Sequence, residues 1–460
     1  MTSSSTISRR RVLKGAGIAA LGSGATALLS SSKLAAQGGA PAIATNNQAG
    51  RKFKAFVKFS KDLPTVVEVT ARGLTGNQVL LRVEAAQTCY SSTDQVLLND
   101  ERIPTTNASI VGHGGVGVVE AVGPQVMSTR VGDRVILNLH GACGRCFNCL
   151  NMRSDKCRSG QAGPQQPIAT MASGAPVFGR TGAMSELAIT GEEMITPLFY
   201  QGVSPAEIAM LTCVGGCGLG MTMTNCPVDV ASDVVIFGGG PIGLASVMGA
   251  KLKGASKIIL VEPIQYRREL GMKLGATHVV DPNQFTTRTP IPNAGGNSDH
   301  FKDALVDHLR ELTKENHDRV WSGAGRNGPH HVIEAVGGDR LKPRNQPQGP
   351  DPTGVTVLNQ CWELGSSIGS IVTCSVGHPN DAFVKLPAAQ WADGAKHHWP
   401  GTGGGTNDRR DSGRYVRLME TGQINMKALV GKTYPLSQTR EAYEVCAHRE
   451  VISTVVLPNG

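Results

Sequence analysis

The chain has 460 residues, 40% of them hydrophobic, with 45 Lys and Arg against 36 Asp and Glu. That is long enough for two domains of ordinary size and apolar enough for packed cores, which excludes a fibrous or wholly disordered chain. Five basic residues (Arg9, Arg10, Arg11, Lys14, Lys33) and no acidic one fall within residues 1–36, leaving 40 against 36 in a nearly neutral body; with no basic cluster beside stacking aromatics, a nucleic-acid partner is not expected.

At the amino terminus, Ser8-Arg9-Arg10-Arg11-Val12-Leu13-Lys14 precedes a weakly apolar, Gly/Ala-rich run to Leu29 and a small-residue exit at Leu34-Ala35-Ala36. This is the layout of a twin-arginine export signal over residues 1–36, with Ala40-Pro41-Ala42 as a second cleavage site. It predicts a mature protein carried by the twin-arginine export machinery to the periplasm or the exterior. Gly and Ser dilute the apolar run too far for a good membrane span.

From Arg51 to about Val135 short β-type runs dominate, among them Val66–Val69, Val79–Val83 and Val116–Val122, divided by Gly and Pro turns, which predicts a mostly β unit. From about Val214 apolar strands alternate with helical stretches: Val234–Phe237, Ile258–Val261, His278–Val280, His331–Glu334 and Ile368–Cys374. Such alternation predicts α/β structure with a doubly wound parallel sheet. Helices at Tyr415–Thr421 and Gln438–His448 and a strand at Ile452–Leu457 then return to the first domain. Residues 282–297 and 342–354, rich in Pro, Thr, Asn and Gln, read as surface loops or insertions, and Gly401–Gly413 as a hinge or interface loop.

Eleven cysteines are present, and Cys143, Cys146, Cys149 and Cys157 form a C-x2-C-x2-C-x7-C array. Such spacing lets four thiolates share one tetrahedral ion, with sulfur about 2.3 Å from zinc; the closed site makes that zinc structural. Iron–sulfur ligation and two disulfides are the other readings. Further on, Val234–Phe237 runs into Gly238-Gly239-Gly240-Pro241-Ile242-Gly243 and an apolar helix, a G-x-G-x-x-G turn between strand and helix that predicts dinucleotide binding. Gly238 makes the tight turn, Gly240 lets backbone approach the pyrophosphate with Pro241 and Ile242 beside it, and Gly243 allows close packing. Glu262, nineteen residues beyond Gly243, is placed to accept bonds from the ribose hydroxyls, which favours NAD over NADP; Arg267 and Arg268 follow and offer cations at the same edge.

The order Cys89, Gly112-His113, the cysteine array, Cys213 and the glycine turn resembles the zinc-containing medium-chain alcohol dehydrogenases, from roughly Phe53 to Leu457. That resemblance implies a GroES-like, mostly β catalytic domain (51–213, zinc lobe 143–157), a Rossmann cofactor domain (214–405) and a carboxy-terminal return to the catalytic domain (406–460). It also implies a catalytic zinc held by Cys89, His113 and Cys213, with a fourth position for a substrate oxygen. Cys213 is preferred to Cys217 because it lies 25 residues before Gly238. Ser91 matches the hydroxyl that takes the substrate proton, and Asp94 falls where some members carry a relay histidine. The implied activity moves hydride between an alcohol or aldehyde and NAD, in a homodimer or homotetramer.

A narrower resemblance, to the formaldehyde dehydrogenase and dismutase branch, rests on Ala142–Cys146, the insertion after Glu334-Ala335-Val336-Gly337 and Val357-Leu358-Asn359, and implies tightly held NAD. Two positions depart from the family pattern. Gly114 stands where Glu commonly follows the ligand histidine, and Ser92 where an acidic residue is usual, so the carboxylates that tune the zinc are missing. The competing readings are a zinc-less quinone or enone reductase, a catalytically silent NAD- or zinc-binding protein, and a thiol-dependent formaldehyde oxidiser. His140, Phe178 and Trp391 are candidate pocket-lining residues.

Overall fold

The computed structural model describes residues 47–98, 107–157, 166–179, 181–199, 202–226, 228–290, 301–314, 328–339, 341–366, 368–374, 376–386, 391 and 396–460. The export signal lies outside the described residues, as do 291–297 of the first insertion.

The β-rich half contains β1 (Lys52–Phe59), β2 (Thr65–Ala71), β3 (Gln78–Gln87), β4 (Ala108–Ile110), β5 (Gly115–Val122), β6 (Arg134–Leu137), β7 (Ala169–Met171), β8 (Pro176–Phe178), β9 (Leu187–Gly191) and β10 (Ile195–Pro197). A closed barrel runs β1-β2-β7-β8-β4, and beside it β10-β6-β5-β3 form a sheet in which β9 also pairs with β3. Alternation along β3 sends Val79, Leu81 and Val83 into one core and Leu80 into another. A strand buried on both faces reads as an unbroken apolar run, and its register is fixed because a one-residue slip would exchange the two cores.

The second half is built on β11 (Asp233–Phe237), β12 (Lys257–Val261), β13 (His278–Val280), β14 (Arg288–Pro290), β15 (Phe301–Asp303), β16 (His331–Glu334), β17 (Ser370–Thr373) and β18 (His397–Pro400). Six of these form a sheet in the order β13-β12-β11-β16-β17-β18, every adjacent pair parallel. Val234 and Ile236 of β11 face one core and Val235 and Phe237 the other, as expected of a parallel sheet covered on both sides. Order reverses around β11, so the carboxy ends of β11 and β16 open the crevice where such sheets bind ligands. The chain then returns through β19 (Lys432–Pro435) and β20 (Thr454–Leu457), and β20 pairs with β3 in the β-rich half.

Three elements differ from the sequence expectation, one of them β14, which pairs antiparallel with β15 from within the stretch 282–297 expected to be loop. The sixth strand, His397–Pro400, was not expected, because all four residues of this edge strand are exposed and carry no apolar alternation. The expected loop to Gly413 ends earlier: a helix spans Asp408–Glu420, capped by the Asn407 side chain accepting from Arg410 N, with Asp408 and Asp411 in its first turn. What remains is a tight turn in which Gly403, Gly404 and Gly405 all have φ between +63° and +73°. A Cβ on Gly404 would lie 2.2 Å from the Cys217 carbonyl oxygen, on the helix that carries the Cys213 loop. Gly404→Ala is therefore expected to destabilise the protein by about 2–4 kcal/mol in denaturant unfolding, well beyond a surface Gly→Ala change.

Candidate metal centres and cofactor cleft

The four sulfurs of Cys143, Cys146, Cys149 and Cys157 lie within 4.8 Å of one another, with Cys146 and Cys157 3.9 Å apart and the Cys143 amide donating to the Cys157 sulfur at 3.4 Å. That separation is far too long for a disulfide, about 2.05 Å, and matches the edge of a tetrahedron with sulfur about 2.3 Å from zinc. Burial, with Cys146 and Cys157 adding to it, pushes the Cys149 thiol up to about 12. Four thiolates can share this lobe only around a cation, so the residues fit a closed structural metal site.

The second group joins Cys89, His113 and Cys213, whose ligand atoms also lie within 4.8 Å of one another. Each comes from a backbone irregularity. Cys89 follows β3 and precedes a short turn of helix at Tyr90–Ser92. His113 stands between Gly112 (φ +91°) and Gly114 (φ +89°), left-handed conformations that turn the imidazole out of the strand path. Cys213 has φ −141° and ψ −79° at the break between helical segments Met210–Thr212 and Val214–Gly220.

The sulfurs of Cys89 and Cys213 are 3.9 Å apart, and Ser91 Oγ donates to Cys89 Sγ at 3.1 Å. The hydrogen bond from Cys213, helped by His113 and opposed by burial, drives the Cys89 thiol well below its ordinary value. Cys213 moves the other way: a bond from Cys217 opposes the shift, but Cys89 and burial raise it well above. Burial alone would depress His113, yet the Cys89 charge facing it raises it. The opposed shifts show that a second thiolate beside the first is penalised, and a cation between the sulfurs removes that penalty, which is the demand a zinc ion meets. Cys217 lies one helical turn beyond Cys213 and makes no part of the three-ligand group.

The glycine turn has the geometry its spacing predicts. Gly238 has φ +96°, and a Cβ there would meet the Ala335 carbonyl at 2.6 Å. A Cβ on Gly243 would lie 1.7 Å from Gly238 O, whereas one on Gly240 would meet nothing within 4 Å. The open space at Gly240 is where a phosphate can come down on the amino end of helix Pro241–Leu252. Glu262 is buried, its carboxylate accepting from Gly239 N at 2.5 Å and Ile264 N at 2.9 Å. Arg267 is buried beside it and donates to Tyr266 Oη, while Arg268 donates to the Glu262 carbonyl and pairs with Asp281.

One cavity of about 650 Å³ joins the two groups: Cys89, Ser91, His113 and Cys213 line it together with Gly238, Gly240, Pro241, Ile242, Glu262 and Arg267. Asp94 is not on its wall; Gln95 takes that place. Of the three suggested lining residues, none is on the wall. Leu139 and Gly403 line it with His140 behind them, Gly179 lines it rather than Phe178, and the largely exposed Trp391 packs on Trp362. Sequence reading missed Tyr90, Thr181, Cys374 and Val376 on the wall. Cys374 and Val376 follow β17 at the carboxy edge of the parallel sheet, a position that marks cofactor-facing residues in such folds.

The fold and this cavity define a class: a two-domain oxidoreductase with a metal-ligand triad facing a dinucleotide turn. Residues 75–199 match the alcohol dehydrogenase GroES-like domain and residues 241–344 the zinc-binding dehydrogenase family. The chain is similar to a geraniol dehydrogenase from Castellaniella defragrans, 31% identical over 45% of this chain and 57% of that protein. It is also similar to a class-3 alcohol dehydrogenase from Cereibacter sphaeroides, 25% identical over 85% of this chain and 96% of that one. Among solved structures, an alcohol dehydrogenase zinc-binding domain protein from Burkholderia ambifaria is 25% identical with a TM-score of 0.71, covering 89% of this chain and 100% of that one. The chain belongs to the zinc-containing medium-chain alcohol dehydrogenase family and is a zinc-dependent, alcohol dehydrogenase-like oxidoreductase that binds NAD(P). The zinc-less reductase and silent-protein readings are not favoured.

Two outcomes follow from this geometry. Gly240→Val is expected to keep wild-type thermal stability and lose nucleotide binding in a fluorescence titration, whereas Gly243→Val loses both. His140 is buried, which lowers it to about 4 despite the nearby Asp155 carboxylate. Its folded value lies below the unfolded one of about 6.5, so the unfolded chain binds more protons between the two and acid favours unfolding. Wild-type stability is expected to fall between pH 6.5 and 4 by about 3 kcal/mol more than that of His140→Gln, measured by denaturant unfolding at each pH.

Proposed function

We propose that this chain is an exported dehydrogenase, acting in the periplasm or outside the cell, that interconverts a small alcohol and its aldehyde with two zinc ions and a retained NAD. The observation that carries this reading is the single cavity shared by the cysteine-histidine triad and the glycine turn. A zinc ion supplies Lewis acidity toward a substrate oxygen, and NAD accepts or returns the hydride. Cys89, His113 and Cys213 hold the ion and leave the cavity side open. Ser91, on the wall beside Cys89, would act as a relay, accepting the proton of the substrate hydroxyl as it passes its own outward to solvent. The backbone at Gly240 and the helix behind it hold the pyrophosphate, and Glu262 the ribose.

Glu262 supports NAD over NADP: two backbone amides fix its carboxylate at the ribose edge, where a 2′-phosphate would meet a negative charge. Retention is supported by the insertion after β16. Gly349, Pro350 and Asp351 line the cavity, and the segment is tied down at both ends. Leu341 N donates to Tyr90 Oη, His448 bonds the Lys342 carbonyl, Asn283 donates to the Gln348 carbonyl, and Arg449 pairs with Asp339. Tyr90, His448 and Arg449 come from the catalytic domain, so the insertion straps the two halves together over the cofactor. With NAD retained, each hydride taken from an alcohol is passed to a second aldehyde or an external acceptor.

Export rests on Arg9 and Arg10 and the run that follows them. Assembly as a homodimer is supported by the exposed strand β18, which carries Trp399 and whose outer edge pairs with no strand among the described residues and can pair with a second copy.

Protein recovered from the exported fraction of cells expressing the full chain, without added NAD, is expected to contain about two zinc ions and about one NAD per chain. Absence of nicotinamide from the denatured supernatant refutes retention, NADP there reverses the reading of Glu262, and a single zinc refutes the catalytic metal. Recovery only from the cytoplasm refutes export. Turnover that begins only on adding a thiol would point instead to oxidation of a formaldehyde–thiol adduct.

A further inference from the structure

Ligand imidazoles need their second ring nitrogen fixed, because that bond sets tautomer, ring orientation and donor strength. For His113 the partner is Ser92, whose Oγ lies 3.4 Å from Nδ1 and whose side chain is buried. Ser92 N donates to Cys89 O at 3.0 Å, so the turn that presents one ligand also steadies another. Behind Ser92, Tyr443 arrives on helix Thr439–Ala447 from the far end of the chain. Its hydroxyl is fully buried and faces the Ser92 side chain and the Cys89 backbone.

No carboxylate can take this role from the position after His113. Gly114 is left-handed, and a Cβ there would lie 2.6 Å from both Cβ and Oγ1 of Thr212, whose hydroxyl is committed to Ala209 O at 2.8 Å. The acidic residues on the cavity wall, Glu262, Asp339 and Asp351, all belong to the cofactor half. A carboxylate accepting from Nδ1–H draws the proton toward itself and makes the other nitrogen a stronger donor; a hydroxyl does so less.

We propose that Ser92 and Tyr443 form an uncharged hydroxyl pair that orients His113 in place of a carboxylate, so that the metal is held less tightly and keeps more of its charge for the substrate oxygen. Both are positioning residues acting through His113, and the inference rests on the reading of Cys89, His113 and Cys213 as zinc ligands.

The test is release of zinc from the mature protein to an excess of a colorimetric chelator. Wild type is expected to release zinc in two phases, the one missing from Cys213→Ala belonging to the triad and the other, from the four-cysteine lobe, serving as an internal control. Ser92→Ala is expected to speed the triad phase about tenfold and Ser92→Asp to slow it about tenfold, with the lobe phase unmoved. Ser92→Thr keeps the hydroxyl and should release at the wild-type rate, and Tyr443→Phe should fall between wild type and Ser92→Ala. In cobalt-substituted protein, Ser92→Ala should also shift the visible absorption bands. An unmoved triad phase in Ser92→Ala, or equal acceleration of both phases, overturns the positioning role while leaving the zinc reading intact. A wild-type protein with no triad phase overturns both.

Discussion

Two thiolates and an imidazole brought together in a protein interior carry more negative charge than that environment tolerates unless a cation joins them. Cys89 and Cys213 stand 3.9 Å apart although 124 residues separate them, and much of the architecture serves that meeting. The β-rich half delivers Cys89 from the end of β3 and His113 from a turn with a left-handed glycine on either side. The other half delivers Cys213 from a broken helix whose continuation packs on the helix behind the glycine turn. Each of the three ligands sits where regular structure is interrupted.

How much of this could be read from the sequence depends on whether the feature is local. The four-cysteine lobe, the glycine turn and Glu262 are encoded in short spacings, and the structure gives each the shape its spacing implies: a tetrahedral edge, an open cradle at Gly240, a carboxylate fixed at the end of β12. The strands of the parallel sheet were legible because burial on both faces makes them continuous apolar runs. Strand β18 was not, because His397–Pro400 lies at an exposed edge where no core dictates side-chain pattern. Helix Asp408–Glu420 was hidden at its start by the glycines preceding it, although Asn407, Asp408 and Asp411 are a conventional start signal. The cavity wall was least legible: Tyr90 and Gln95, Thr181, and Cys374 come from three separated segments, and no one-dimensional pattern assembles them.

The two departures at Ser92 and Gly114 have a common physical basis. Thr212 occupies the space that a side chain after His113 would need, and Ser92 stands against His113 itself. These residues belong to the same small volume as Cys89 and Cys213, so a charged residue at either place would alter ligand geometry as well as electrostatics. The metal centre is thus backed by hydroxyls and packing, while the charged groups of the cavity are gathered at its cofactor end, where backbone amides hold Glu262, the Tyr266 hydroxyl holds Arg267, and Asp339 pairs with Arg449.

The pairing of β20 with β3 has a bearing on how the protein is made. Thr88, immediately before Cys89, bonds through its hydroxyl to both Thr454 O and Thr454 Oγ1, a partner 366 residues downstream. The strand that completes the catalytic half therefore lies beyond the whole cofactor half in the chain, and the Cys89 turn stays unfinished until that strand has been made. Domain-by-domain folding during synthesis is closed to the catalytic half; the cofactor half, contiguous in the chain, can fold first and wait. The Cys89 corner of the triad is consequently completed only after the cofactor half has been synthesised.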